Sequence, residues 1–267
     1  MLSKIFKQTR TLSHRAFSTT QFQVKSKGTD FTFRAYLTDT NGTNISPWHD
    51  VPLKEQGADT DEFTVIYEIA RDTTPKMEVA TDEEHNPIKQ DTKKDKKTGQ
   101  RVLRQYMLNP CFNYGCMPQT WENNAHKDRE TQAYGDNDPL DVVEISMSNK
   151  PHLGQQQSVK VLGALCLLDQ GELDWKVISL NADEARVSKI RNLEDFNRSN
   201  PGALREIADW FRTYKTYEGK PENTFGYEGR FLSAERTVEI VHENNQFYRD
   251  LIGGKVENKS GLWLGRK

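Results

Sequence analysis

Three carboxylates fall within six residues in the segment Gly135-Asp136-Asn137-Asp138-Pro139-Leu140-Asp141. Pro139 has no N–H to give and cannot sit inside a helix. The segment therefore reads as a turn entering a strand, with Asp136 and Asp138 projecting together and Asp141 reaching in from the strand start. Carboxylate oxygens at such spacing suit a hard divalent cation, and Mg2+ retains waters for chemistry. An Asp-rich surface turn has the same composition. The segment also starts like an EF-hand loop, but the required Gly and closing Glu are absent.

A second constellation is Asp169-Gln170-Gly171-Glu172-Leu173-Asp174-Trp175-Lys176, at the tip of a hairpin after an apolar run that ends at Leu168. On a strand, Asp174 and Lys176 share one face and Trp175 takes the other. A cation beside a metal-binding carboxylate is useful when a phosphate lies between them; a polar hairpin loop is the plainer reading. Glu68 with Lys76 and Glu78, the latter two again on one strand face, makes a weaker third group. Tyr214 and Lys215 end a predicted helix, where core packing and the helix dipole would explain them equally well. Lys93, Lys94, Lys96, Lys97, Arg101 and Arg104 read as a solvated hairpin from which one arginine could grip a phosphate in bidentate fashion. Asn113-Tyr114-Gly115 reads as a turn that offers a tyrosine hydroxyl.

The elements that would carry these groups are mostly strands. Phe31–Leu37, Phe63–Ala70, Lys76–Ala80, Asp141–Met147, Ser158–Leu168 and Trp175–Leu180 have strand alternation or β-rich content. Two helices follow. One starts at Pro201 with Leu204, Ile207, Phe211 and Tyr214 on its stripe; the other runs from Ser233 to the Gly253-Gly254 stop, with Ala234, Val238, Val241, Tyr248 and Ile252 on one side. Short strands followed by a few helices predict a single α+β domain with a barrel as its sheet form. The expected boundaries are a leader over 1–30, a catalytic domain over 31–254 and a loosely held tail over 255–267.

Composition narrows the class. A net charge of −2 gives no bulk field for nucleic acid or membrane. The most apolar stretch, Val159–Leu168, is far too short to span a bilayer, so a soluble protein is expected. Cys111, Cys116 and Cys166 are too few for a disulfide framework and fit a reducing compartment. The first acidic residue is Asp30; before it stand Lys4, Lys7, Arg10, Arg15, Lys25 and Lys27 among Ser, Thr and apolar residues. That is the description of a mitochondrial or plastid transit peptide, and a disordered basic tail shares it. Arg15-Ala16-Phe17-Ser18 is similar to a matrix-protease site.

Together, G-D-N-D-P-L-D at 135–141, L-L-D-Q-G-E-L-D-W-K-V at 167–177 and N-Y-G-C-M-P-Q-T-W-E at 113–122 resemble the family I soluble inorganic pyrophosphatases of eukaryotic type. S-P-W-H-D-V-P-L at 46–53, N-P-I-K-Q-D-T-K-K at 86–94, and W-F-R-T-Y-K with G-K-P-E-N at 210–223 support the match, which runs from about Phe31 into the second helix. The resemblance implies an OB-like five-stranded β-barrel with flanking helices, a homodimer, Mg2+ as cofactor and pyrophosphate as substrate, and the leader points to the mitochondrial form. It also implies roles by position: Asp136, Asp141 and Asp174 as principal metal ligands, Asp169 and Glu78 at outer metal sites, and Glu68 acting through metal-bound water. Asp138 would be the catalytic base, and Lys76, Arg104, Tyr114, Lys176, Tyr214 and Lys215 would hold phosphate. Over Leu103–Phe112 the chain is shorter than the fungal and animal pattern and is similar to plant and some protist members. Tyr106 is a candidate for the tyrosine of the longer form, and Arg101 remains an alternative to Arg104.

The reaction so implied is in-line attack of a metal-activated water on a compact, highly negative anion, with no covalent intermediate. A nucleic-acid-binding barrel with Tyr106, Phe112, Tyr114 and Trp121 as stacking platform is the rival of another class, opposed by the acidic clusters. A metal phosphatase acting on phosphate esters is the nearer rival.

Overall fold

All eight positions of Glu62–Ile69 are buried, because this strand carries core on both faces. The structure, a computed structural model, describes residues 22–147 and 150–265. Most of the basic leader read from residues 1–30 therefore lies outside the described residues. In chain order the strands are β1 (Gln23–Lys27), β2 (Arg34–Thr38), β3 (Asn44–Ile45), β4 (Glu62–Ile69), β5 (Met77–Val79), β6 (Ile88–Gln90), β7 (Thr92–Lys94), β8 (Arg101–Leu103), β9 (Asn113–Cys116), β10 (Asp141–Glu144), β11 (Gln156–Asp169) and β12 (Glu172–Asn181). Three helices follow: α1 (Ala182–Ser188), α2 (Leu193–Ser199) and α3 (Ala203–Thr213). Two short strands, β13 (Thr224–Phe225) and β14 (Leu232–Ser233), precede the long helix α4 (Ala234–Ile252).

Five strands pair in a closed circuit. β4 runs antiparallel to β9, β9 to β10, β12 to β11 and β11 back to β4, while β10 and β12 are parallel. A smaller sheet of order β1-β2-β6-β5 lies beside it, and β7 and β8 form a separate hairpin. The alternation of strand side chains separates the apolar contacts. Val142 and Val177 pack with Phe63, Val65, Ile240 and Val241, whereas their neighbours Val143 and Ile178 pack with Leu193, Phe196, Ile207 and Trp210. Residues of α4 thus join the cluster on one face of these strands, and residues of α2 and α3 join the cluster on the other.

Local sequence explains the turns and ends. Gln170 and Gly171 form the two-residue link between β11 and β12, both with positive φ (56° and 93°), the backbone that a tight hairpin of matching twist requires. Ser233 caps α4 by accepting from the Arg236 N–H, and Gly254, at φ 72°, closes the other end. The stripe of α3 is as read, with Tyr214 stacked on Trp210 at 4.9 Å between ring centroids.

Several expectations are corrected. Asn113–Gly115 is strand, not turn: Tyr114 and Gly115 pair with β10 and β4 at once, so β9 is a central strand. The strand expected from Phe31 begins at Arg34, after a 3-10 turn over Asp30–Thr32. Ile252 is exposed, because α4 ends there and its last apolar contact is Leu251. Helices α1 and α2, of seven residues each, are too short for a periodic signal. Defined structure is also present on both sides of residues 31–254. β1 pairs with β2 over Gln23–Lys27, and the segment after Gly254 docks. Leu262 is buried among Trp48, Tyr248 and Leu251, the Trp263 N–H donates to Thr81 O, and the Trp263 carbonyl meets His49 Nε2 at 2.8 Å.

The docked tail makes a direct prediction. Leu262→Ala should destabilise the protein by about 2–4 kcal/mol, the usual range for removing a buried leucine. Urea unfolding of wild type and variant measures it; a loss under about 0.5 kcal/mol would mean that the tail rests loosely on the surface.

Candidate active site

The ends of the circuit strands converge on a cleft of about 280 Å3. β4 supplies Glu68 near its end, and Lys76 and Glu78 come from β5 and the residue before it. Arg104 follows β8, Tyr114 lies on β9, Asp141 begins β10, Asp169 ends β11, and Asp174 and Lys176 lie on β12. Tyr214 and Lys215 come from the C-terminal end of α3, and Asp136 and Asp138 from the loop before β10. Every residue that sequence reading marked for metal, base or phosphate lines this one cleft. Arg101 does not: it is exposed, donates to Thr92 Oγ1 and lies over the Phe31 ring. Tyr106 does line it, edge-on to Trp210 and Tyr214.

Strand register brings the central charges together. Asp141 and Lys176 are direct partners in the parallel β10–β12 pair, and Asp174 precedes Lys176 by two, on the same face. The Lys176 ammonium donates to Asp174, to Asp141 and, at 2.9 Å, to the Tyr114 hydroxyl, which itself donates to Asp141. Trp175 points the other way and packs on Tyr227. Around the rim, Lys215 and the Tyr214 hydroxyl both meet Asp169, the Lys215 ammonium by an ion pair. Lys76 donates to Glu78 at 2.8 Å and to Asp91 at 3.0 Å. Arg104 reaches Asp91 at 3.0 Å and grips both oxygens of Glu218 at 3.2 and 3.1 Å.

The acidic half is electrostatically crowded. Burial, then the charges of Asp141 and Asp169, pushes Asp174 up to about 7, with Lys176 pulling against them. Asp138 is likewise pushed up to about 7, by confinement in the cleft and then by Glu78 and Asp141; its exposure to cleft water tempers that push. Burial also raises Glu68 and Asp136, with Asp141 adding to the first and Asp174 to the second. Lys176 goes the opposite way from an ordinary buried lysine: burial would lower it, but Asp141 and Asp174 outweigh that and raise it. Lys215 stays lowered, because burial wins over its single partner Asp169.

Whether these residues suit a divalent cation follows from their donors. One carboxylate oxygen each from Glu122, Asp136 and Asp174 lie within 4.8 Å of one another. Asp169 Oδ1 is buried without a hydrogen bond. Hard oxygen donors in mutual repulsion are what Mg2+ coordination relieves, so the set fits such an ion.

Sequence reading missed three groups. Asp91 orients Lys76 and Arg104 together, and it stood in the N-P-I-K-Q-D-T-K-K stretch where only the bases drew notice. Glu218 lies 114 residues from Arg104, a separation that carries no local signal. Glu122 closes the N-Y-G-C-M-P-Q-T-W-E stretch and could have been found there, as the one charged residue in an otherwise uncharged motif.

Comparison with known proteins agrees with this architecture. The family model "Inorganic pyrophosphatase" matches residues 65–249. The chain belongs to the inorganic pyrophosphatase family. It is 40% identical to the mouse inorganic pyrophosphatase, over 89% of this chain and 81% of that protein. It is 38% identical to the soluble inorganic pyrophosphatase 6, chloroplastic, of Arabidopsis thaliana, over 95% of this chain and 82% of the relative. Among solved structures it is similar to the inorganic pyrophosphatase of Schistosoma japonicum, with a TM-score of 0.84, 36% identity, and coverage of 91% of this chain and 85% of that one. This pyrophosphatase hydrolyses diphosphate to two phosphates. Among the described residues no helix is long and apolar enough to cross a membrane.

The crowding of Asp174 sets a sign for stability. Folding raises its carboxyl above the ordinary range near 3.8, so below about pH 4 the contribution is present in full and is lost as pH rises toward 7. In chelator, the melting temperature should fall over that window, Mg2+ should reduce the fall, and Asp174→Asn should flatten it. A variant with the wild-type slope would place the effect elsewhere.

Proposed function

We propose that Asp138 is the general base of the pyrophosphatase, with Asp136, Asp141 and Asp174 as the principal holders of Mg2+. Glu68, Glu78 and Asp169 complete the metal sites, and the phosphates are gripped by Lys76, Arg104, Tyr114, Lys176, Tyr214 and Lys215. The observation that supports this reading is the convergence of all these side chains on one small cleft, with Lys176 set between Asp141 and Asp174 and further cations paired with acids around them. The densely charged lining of the cleft suits a compact, highly negative anion such as diphosphate.

Mg2+, when bound, supplies the acidity that makes a water nucleophilic near neutral pH and the charge that neutralises the leaving group. The chain does the rest. Asp138 stands exposed in the cleft, its N–H donating to Asp136 Oδ1 at 3.0 Å, and its carboxylate would take the proton of the attacking water. Lys176 and Tyr114 present donors beside the Asp141 and Asp174 carboxylates, where one phosphate would lie. Arg104 and Lys76, pre-aimed by Asp91, orient the other for in-line departure. Phosphate release from pyrophosphate with and without Mg2+ tests the substrate and the metal together. Asp138→Asn should lower turnover by about 10²–10⁴, the span for loss of a general base, with Mg2+ dependence little changed. Asp174→Asn should instead raise the Mg2+ concentration for half activity. Equal effects of the two substitutions on metal affinity would sink the assignment of Asp138.

The five-strand circuit is read here as the OB-like barrel that the sequence resemblance implies, and the working form as a homodimer. The acid-free basic segment before Asp30 is read as a mitochondrial transit peptide, with a plastid or the cytoplasm as the alternative destination. The chloroplastic name of the Arabidopsis relative keeps the plastid in view. Because Gln23–Lys27 forms the β1 strand, removal should stop before Gln23. N-terminal sequencing of the mature protein from isolated mitochondria should find a start after Arg15 and before Gln23. An intact Met1 on a cytosolic protein would contradict import.

A further inference from the structure

We infer that Glu122 is a metal-holding carboxylate of this site, a third donor behind Asp136 and Asp174. The inference rests on the reading of those two aspartates as metal holders. Glu122 does not line the open cleft; it lies in the wall beneath the acidic loop. Backbone bonds clamp it there. Its N–H donates to Asp138 O at 2.8 Å, its carbonyl accepts from Asn137 N at 3.0 Å, and the Gly135 N–H donates to the next carbonyl, Asn123 O. The approach is so close that a Cβ on Gly135 would stand 2.5 Å from the Glu122 carbonyl carbon. The glycine that opens the acidic motif is therefore required by the backbone of Glu122.

The side chain occupies a gap in the sheet. Gly135 bridges to Leu173 on β12, and the β10–β12 ladder begins only at Asp141 and Lys176. Between these two points the loop leaves β12, and the Trp175 N–H loses the neighbouring strand as a partner. Glu122 Oε1 accepts that N–H at 2.8 Å. One acceptor would be enough for this task, and a neutral glutamine could provide it. The second oxygen, Oε2, is buried and makes no hydrogen bond, in a residue only 2% exposed. A carboxylate oxygen from this residue lies within 4.8 Å of one on Asp136 and one on Asp174. A buried anion left with an unused oxygen beside two further carboxylates is unfavourable by itself, and buried charges are ordinarily paired or bound to metal. The arrangement is explained by a hard divalent cation shared by the three, with the Trp175 N–H fixing the orientation of the inner ligand.

The test is titration calorimetry with Mg2+ alone, without pyrophosphate, on wild type, Glu122→Gln and Asp174→Asn. Glutamine keeps the acceptor for the Trp175 N–H and removes only the charge. Glu122→Gln should weaken the tightest Mg2+ association by roughly tenfold or more. Its melting temperature in EDTA should equal or exceed that of wild type, since mutual repulsion is relieved, while the rise caused by Mg2+ should shrink. Glu122→Asp, which retains the charge but is one methylene shorter, should bind Mg2+ with intermediate affinity. Binding by Glu122→Gln within about twofold of wild type, with Asp174→Asn weakened, would overturn the role of Glu122 and leave that of Asp174 standing. Unchanged binding in both would overturn both. A Glu122→Gln protein that melts well below wild type in EDTA would mark Glu122 as a structural acceptor and end the proposal.

Discussion

Like charges forced into one cleft are the constraint from which the rest of this structure follows. Two carboxylates 4 Å apart repel by about 4 kcal/mol at an effective dielectric of 20, and less than that only where water reaches them. Asp136, Asp141, Asp174 and Glu68 meet in such a space with Glu122 behind them. Lys176 offsets part of the repulsion by lying between Asp141 and Asp174, but one ammonium cannot neutralise the set. Bound metal ions would supply what is missing, and the positive charge they bring would let a site lined with acids accept a pyrophosphate anion.

Such repulsion would spread flexible loops apart, and most of these carboxylates are mounted on paired strands that cannot move independently. Asp141, Asp174 and Lys176 stand on adjacent paired strands, and Asp169 and Glu68 on the strands that close the circuit. Close backbone contacts tighten the mounting. At Gly115 any side chain would meet Ile66 O at 2.0 Å, and at Gly135 the Glu122 backbone. Apolar clusters on both faces of these strands, each large buried side chain contributing about 1.5–3 kcal/mol, outweigh the local repulsion.

The cationic rim has its own supporting layer. Asp91 and Glu218 hold Arg104 from two sides, and Asp91 also holds Lys76, so both long side chains are ordered in advance. Ordering a long side chain before its ligand arrives reduces the entropy lost on binding. Both lysines are buried, but two aspartates hold Lys176 protonated, whereas Lys215 has Asp169 alone and is left less firmly protonated.

The residues that line the cleft were legible in the sequence because their chemistry is local. Three aspartates around a proline, and an Asp-Trp-Lys alternation after a two-residue hairpin, state their geometry within a few positions. Long strands and the stripes of α3 and α4 were legible for the same reason, since periodicity is a short-range property. What the tertiary structure alone decided is which distant groups stand behind them. Tyr114 belongs to a central strand rather than a turn because β4 and β10 pair with it from both sides. The tail after Gly254 is held by a pocket formed from Trp48, Tyr248 and Leu251, which no pattern in the tail announces. Asp91, Glu218 and Glu122 take their meaning from partners 13, 114 and 53 residues away. Spacing along a chain constrains neighbours within a turn or a strand; contacts across the fold depend on how apolar faces pack, and that is settled only when the whole chain closes on itself.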